Sequence, residues 1–304
     1  MYALKRLLIA LDLTEMDDTL IKYASHLAKD LQSEKVYFFH IAKDFNLPED
    51  VKKDYPDLVA PTDEALQKHI EGLIEDNWES GYGIETVIEL KEGNPSKELL
   101  KWIDNKQIDL IVMGRKKHLS GDGVMPDKIT NLAHASVLLV PEKVSYRLNK
   151  IVLPVDFSEN SKLAAEQALS LVGEEHAKLK LLHIFHVPSG YHKTGKSYEE
   201  VAFIMQNIAK RDFDKFLEEN NLQLPEACKM ILDDDNSPSD KIFEYAEEVK
   251  ADMIVMGSKG RTGMASILFG SVASKIIGYG TTIPLLVVKE KEENMGFLQA
   301  LLNI

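Results

Sequence analysis

The chain is punctuated by short apolar runs in which successive positions, rather than alternate ones, are largely hydrophobic: Leu7–Leu11, Val36–Ile41, Ile84–Glu89, Leu110–Met113 and Val137–Val140. Runs of this kind suit strands buried on both faces, as in parallel sheets. Between them lie stretches with helical spacing, such as ENSKLAAEQALSLVGEE from Glu159 and PSDKIFEYAEEV from Pro238. Pro95 and Pro238 fit a first helical turn, where the missing N–H costs no bond. Strands alternating with helices predict right-handed crossovers and a doubly wound α/β sheet. Ligands gather in such sheets at the carboxyl ends of the strands, near the switch point.

The same pattern occurs twice. KRLLIALDLTE from Lys5 matches NKIVLPVDFSE from Asn149, and His40 in YFFHIA pairs with His183 in LLHIF. EGNPSKELLKWIDNKQIDLIVMG from Glu92 matches DNSPSDKIFEYAEEVKADMIVMG from Asp235, and ASVLLVPEK from Ala135 matches TIPLLVVKE from Thr282. The fold expectation is therefore two tandem five-stranded parallel-sheet domains of Rossmann-like α/β type, residues 1–143 and 148–290, followed by a tail over 291–304. The tail, with Phe297, Leu298, Leu301 and Leu302, reads as amphipathic and suited to docking on protein rather than membrane, since few basic residues accompany it.

Composition narrows the function classes. A chain of 304 residues has room for about two domains, each with its own core. A net charge of −13 argues against a nucleic-acid footprint, which needs a basic face. The lone Cys228 excludes an internal disulfide or a cysteine-rich zinc site and reads as a small apolar residue near a strand. The opening MYALKRLLIALDL is read as a strand rather than a signal peptide, because it meets Asp12 early and has a twin in mid-chain. No run approaches the roughly 20 apolar residues of a membrane helix. The expected compartment is cytoplasmic.

The candidate chemistry sits in IVMGSKGRTGMASILFGS, Ile254 to Ser271. A strand ends at Gly257, Gly260 follows, and a glycine–serine step comes at Gly270 and Ser271. Glycines let backbone approach a ligand closely, and successive amides at a helix start attract anions. Lys259 and Arg261 would offset phosphate charge or simply be solvated. The spacing fits neither a Walker loop nor the dinucleotide fingerprint, whose glycines follow the first strand. Strand ends at Asp156, His183–Ile184 and Gly257 should open on one edge. There Asp156 could accept from a ribose hydroxyl or a base amine, or serve the turn; Ser158 is the better N-cap. Ile184 would meet a planar ring or belong to the core. His40 and His183 are expected as satisfied core histidines, and Asp233–Asp235 as a charged loop. No metal site or catalytic residue is assigned.

PVDFSENS at Pro154, LLHIF at Leu181 and GSKGRTGMASILFGS at Gly257 resemble the universal stress protein family, over both repeats from Lys5 to Glu290. The resemblance implies a five-stranded parallel fold and ATP or AMP as bound ligand, with magnesium an option beside ATP. It implies that Pro154, Val155, Asp156 and Ile184 surround adenine and ribose, while Met256, Gly257, Gly260, Gly270, Ser271 and Val272 line ribose and phosphates. It further implies an intrachain pseudo-twofold pair, as a monomer or a homodimer.

The N-terminal repeat departs from that pattern. Asp12, Ile41 and Gly114 keep their places, which leaves room for a base pocket, but Lys117 stands where Gly260 does and Val124 replaces Ser271. Arg115, Lys116, Lys117 and His118 are expected as a solvated loop on a structural partner. The leading expectation is a non-catalytic adenine-nucleotide-binding stress or regulatory protein with an unidentified protein partner. The alternatives are a slow ATPase or nucleotidyl-transfer enzyme, and a ligand-free scaffold. Phosphoryl transfer needs a positioned base or water and a metal clamp, and the glycine segment offers Lys259, Arg261 and Ser266 but no carboxylate or histidine.

Overall fold

The computed structural model describes residues 3–42, 53, 62–116, 126–175, 178–225, 227–260, 270–279 and 282–290. Two compact units divide the chain, one up to Tyr146 and one over Arg147–Glu290. The first runs β1 (Arg6–Leu11), α1 (Met16–Asp30), β2 (Lys35–Ala42), α2 (Thr62–Asn77), β3 (Glu85–Glu92), α3 (Pro95–Lys106), β4 (Leu110–Arg115), α4 (Pro126–Leu132) and β5 (Ser136–Pro141). Its strands are parallel in the order β3-β2-β1-β4-β5.

The second unit repeats the plan: β6 (Ile151–Pro154), α5 (Glu159–Val172), β7 (Leu179–Phe185), α6 (Tyr198–Asn220), β8 (Cys228–Leu232), α7 (Pro238–Glu248), β9 (Met253–Gly257), α8 (Ser271–Gly278) and β10 (Leu285–Val288). Its order is β10-β9-β6-β7-β8, again parallel throughout. Both units are thus the five-stranded parallel α/β sheets that the continuous apolar runs predict. Leu7, Leu8 and Ile9 in β1 and Ile151, Val152 and Leu153 in β6 are wholly buried, as strands covered on both faces must be.

The other strands of the first unit lie within one or two residues of their expected spans, and β3 departs furthest. β3 starts one residue later than predicted and runs on to Glu92, pairing as far as Ala42 with Glu92. Lys91 and Glu92 hide this extension in the sequence, because an edge strand tolerates polar residues that a central strand would not.

Local chemistry sets the helix starts. Asn94 caps α3 by accepting from the Lys97 N–H at 3.1 Å, with Pro95 in the first turn. Ser158 caps α5 by accepting from the Ser161 N–H at 3.2 Å. At α6, Ser197 and Glu200 form a reciprocal capping box. In each unit the chain reverses direction across the sheet between its first and fourth strands, β1/β4 and β6/β9. The helices on the two sides of such a reversal diverge and leave a crevice at the carboxyl edge. Among the described residues, no helix is long and apolar enough to cross a membrane, and no group of three His, Cys, Asp or Glu is placed to hold a metal. The tail over 291–304 lies outside the described residues.

Candidate functional site

In the second unit the crevice begins where β6 stops. The Val155 N–H donates to the Leu182 carbonyl at 2.9 Å, the last rung joining β6 to β7. The chain then turns sharply through Phe157, whose φ of 66° is left-handed. Asp156, inside this turn, accepts at Oδ1 from the Ser158 N–H (3.1 Å) and the Ser158 hydroxyl (2.6 Å). Its own N–H donates to Ser161 Oγ at 3.2 Å. The helix cap and the aspartate therefore share one hydroxyl network, with Ser158 as the cap.

β9 ends beside it. The Ser258 N–H donates to the Val288 carbonyl at 3.0 Å, and Ser258 Oγ bonds Asn160 Oδ1 at 3.2 Å. The Gly270 N–H returns to the Ser258 carbonyl at 2.7 Å, which pinches the glycine loop shut at its neck. α8 then starts at Ser271. The loop interior, with Arg261, Gly263 and Ser266, lies outside the described residues.

Gly257 is required by the backbone beside it, whereas Gly260 meets the end of a side chain. A Cβ on Gly257 would stand 2.7–2.9 Å from Asn160 O, C and Cβ, so β9 and the first turn of α5 meet backbone to backbone. A Cβ on Gly260 would stand 2.7 Å from Asp156 Oδ2. Gly270 is less confined, with its nearest neighbour, Ser258 O, at 3.3 Å.

These strand ends enclose a cavity of about 600 Å³. Pro154, Val155, Asp156, Ile184, Met256, Gly257, Gly260, Gly270, Ser271 and Val272 all lie on its wall, so every candidate site residue named from the sequence is brought together there. The wall also takes His186, Asp233, Asn236, Pro238 and Ile242, which the sequence reading did not assign to the site. The signal for them was available, because β8 ends at Leu232 on the same edge and the carboxyl-end rule applies to it as it does to β6, β7 and β9. Asp233 is buried and accepts at Oδ1 from the Ser237 N–H at 3.0 Å. Near the loop, Lys289 is buried beyond β10, and desolvation followed by the charge of Lys259 pushes its ammonium down to about 7.

The corresponding place in the first unit is nearly filled. The space there is about 30 Å³, roughly the share of one water. A Cβ on Gly114 would meet the Met16 side chain, with Cγ at 2.7 Å, where Gly257 faces the Asn160 backbone. Lys116 folds back to pair with the Asp12 carboxylate, which also accepts from Thr14 Oγ1 at 2.7 Å. Asp17 takes the place of Ser161, accepting from the Leu13 N–H at 2.8 Å and the Asp12 N–H at 3.3 Å. Burial, then the charge of Asp12, raise the Asp17 carboxyl to about 7 against those bonds and Lys116.

Two expectations are corrected by this arrangement. Lys116 is half-buried and ion-paired, and Arg115 is half-buried with desolvation drawing its guanidinium down to about 10, so neither is a solvated loop cation. Among the described residues, the space beside Asp12 is about 30 Å³, too small for a base. Lys117, His118 and Val124 lie outside the described residues. His40 and His183 are satisfied core histidines as expected, each with Nδ1 at a backbone carbonyl.

The sequence profile of the universal stress protein family matches residues 3–141 and again residues 147–289. The chain belongs to the universal stress protein family. It carries two universal stress repeats in tandem. Universal stress protein MJ0531 of Methanocaldococcus jannaschii is 33% identical over 149 residues, covering 47% of this chain and 84% of that protein. The crystal structure of a universal stress protein from Archaeoglobus fulgidus DSM 4304 shares the fold over 95% of this chain and 97% of that chain, with a TM-score of 0.62 at 17% identity. A universal stress protein crystallised in complex with cAMP is 14% identical, with a TM-score of 0.34, over 47% of this chain and 100% of that chain.

The contrast between the glycines is measurable. Gly257→Ala should cost ~1–3 kcal/mol in chemical denaturation, because backbone stands in the way of the new methyl. Gly114→Ala should cost less, because a Met16 side chain can turn aside; equal costs would overturn that account. Asp17 gives a pH dependence. Its folded-state carboxyl is raised above the unfolded value of 3.8 to about 7. The folded state therefore holds that proton more tightly, and the group's stabilising contribution is full below about pH 4 and lost as pH rises through 7. Asp17→Ser, which copies Ser161, should flatten the fall in thermal midpoint between pH 4 and 7, whereas an unaltered slope would exclude Asp17 as its source.

Proposed function

We propose that the C-terminal repeat, residues 148–290, holds one adenine nucleotide, ATP or AMP, and that the repeat over 1–143 is a structural companion with a closed site. The observation that carries this reading is the contrast in room: the ten residues that the family resemblance implies border one cavity of about 600 Å³, while the equivalent cleft has about 30 Å³ among the described residues.

The strand order gives the ligand a direction. Along the edge the ends follow as β9, β6, β7 and β8, three steps of ~4.8 Å, or about 14 Å in all. Phosphates belong at the β9 end, where the Ser258–Gly270 neck and the start of α8 offer backbone N–H groups beside Lys259. The ribose then falls at Asp156 on β6, and the base beyond it, where Ile184 and Ile242 offer apolar contact. Magnesium would accompany ATP at the phosphate end.

A binding role is favoured over turnover. Among the described residues, the carboxylates on the wall, Asp156 and Asp233, follow β6 and β8, and the wall at the β9 loop carries Ser258, Lys259 and Ser271. Hydrolysis of a terminal phosphate needs a group that positions water at that end. Occupancy would instead alter the loop after β9 and with it the surface offered to a protein partner.

Calorimetry on nucleotide-stripped protein should find one ATP or AMP site per chain; two equal sites would sink the assignment of a closed N-terminal repeat. Gly260→Val, which drives a side chain into the Asp156 carboxylate, should weaken binding at least about tenfold with an unaltered circular dichroism spectrum. Unchanged affinity would remove the loop from the site. Multiple-turnover phosphate release that Gly260→Val abolishes would favour the enzyme reading.

A further inference from the structure

A single imidazole holds Asp156 from both sides. His183, buried in β7, has Nδ1 2.7 Å from the carbonyl oxygen of Val155, the residue before the aspartate. A carbonyl can only accept, so this nitrogen carries the hydrogen. The face of the same ring stacks on Phe157, the residue after the aspartate, with centroids 4.3 Å apart and planes 20° apart. Phe157 is the residue with φ of 66°, a region that side chains other than glycine enter only when surrounding structure keeps them there. Phe213 and Phe216 of α6 back the ring from the other side, with centroids at 6.3 and 5.7 Å.

The N-terminal repeat separates the two contacts. His40 there has Nδ1 3.0 Å from the Leu11 carbonyl, and Leu13 has φ of 59°, so the edge contact and the turn are both present. Leu13 offers no ring to stack on, and the aspartate in that turn pairs with Lys116. The aromatic stack thus accompanies the repeat whose aspartate faces an open cavity.

We propose that His183 is a positioning residue for nucleotide binding: through the Val155 carbonyl and the Phe157 ring it sets the angle at which Asp156 accepts from the ribose hydroxyls. This rests on the reading that the cavity takes an adenine nucleotide with its sugar at Asp156. His183 does not border the cavity, so its influence passes through Val155 and Phe157 and is read from the discrimination between ligands with and without the sugar hydroxyls.

The test compares ATP with 2′,3′-dideoxyadenosine triphosphate, which lacks both hydroxyls, on the full chain. The wild type should bind ATP at least about tenfold more tightly, as a hydrogen bond to a charged acceptor warrants. His183→Phe keeps a ring for Phe157 but loses the donor, and should bring the two affinities within about threefold of each other by weakening ATP alone. His183→Asn, whose amide N–H stands where Nδ1 does, should recover part of the discrimination. Phe157→Gly, which tolerates the positive φ without the stack, should lose discrimination while the protein stays folded.

Equal weakening of both ligands in these variants would mark His183 as merely structural and overturn the proposal. So would full retention of discrimination in His183→Phe or Phe157→Gly. A wild type that binds both ligands equally tightly places the sugar elsewhere and overturns the proposal while leaving nucleotide binding intact. A wild type that binds neither overturns the underlying reading, and the proposal with it.

Discussion

The contact on which the crevice depends is the meeting of Gly257 and Asn160, backbone against backbone with no room for a Cβ. It brings the first turn of α5 over the end of β9, although α5 follows β6 in the chain. Since β6 and β9 are the neighbours between which the chain reverses, that contact fixes how close the two strand ends stand at the switch point. Ser258 reinforces it with a side-chain bond to Asn160, and the loop neck at Gly270 closes on the Ser258 carbonyl. The positions of Gly257 to Gly260 and of Gly270 at the cavity are therefore set by backbone contacts.

The two universal stress repeats show what the same frame does with different contents. At Gly114 the glycine is kept, but the Met16 side chain occupies the approach, and the Lys116–Asp12 pair closes the remaining space. Taking a lysine and an aspartate partly out of water is costly unless they meet, and here they do. Asp17 adds a second buried carboxyl, raised first by its burial and then by the charge of Asp12. In the C-terminal repeat a serine replaces Asp17 and an asparagine replaces Met16, so neither apolar bulk nor a second buried charge stands at the aspartate.

The fold was legible because strands buried on both faces cannot alternate, and because the second repeat supplied an independent copy of each signal. β3 was the exception, since an edge strand carries Lys91 and Glu92 without penalty and so looks like a loop. At β6 and β9 a proline, an aspartate and glycines depart from the apolar run, whereas Ile184 on β7, Met256 and Val272 were named through the family resemblance. Asp233 and Asn236 were overlooked because a row of acidic residues after a strand reads as solvated, although an all-parallel sheet ends β8 on the same edge as the other strands. The closure of the first cleft was not legible at all. Lys116 stands among other cations in a loop, and its pairing with Asp12 joins residues from β1 and β4 that are distant in sequence.

The turn around the aspartate is common to both repeats, with a histidine at the preceding carbonyl and a left-handed residue after it, whereas the cavity belongs to one. The turn is therefore a requirement of the fold: it ends the first strand and starts its helix whether or not there is space above it. Capacity for a ligand is a separate property, decided by what stands over the aspartate. In the C-terminal repeat that is Gly260, which approaches Asp156 so closely that any side chain would collide with it. In the N-terminal repeat it is the ammonium of Lys116. Side chains can thus fill the crevice while the sheet, the turn and the strand-end glycine remain, which is why the N-terminal repeat still shares so much of its sequence with the C-terminal one.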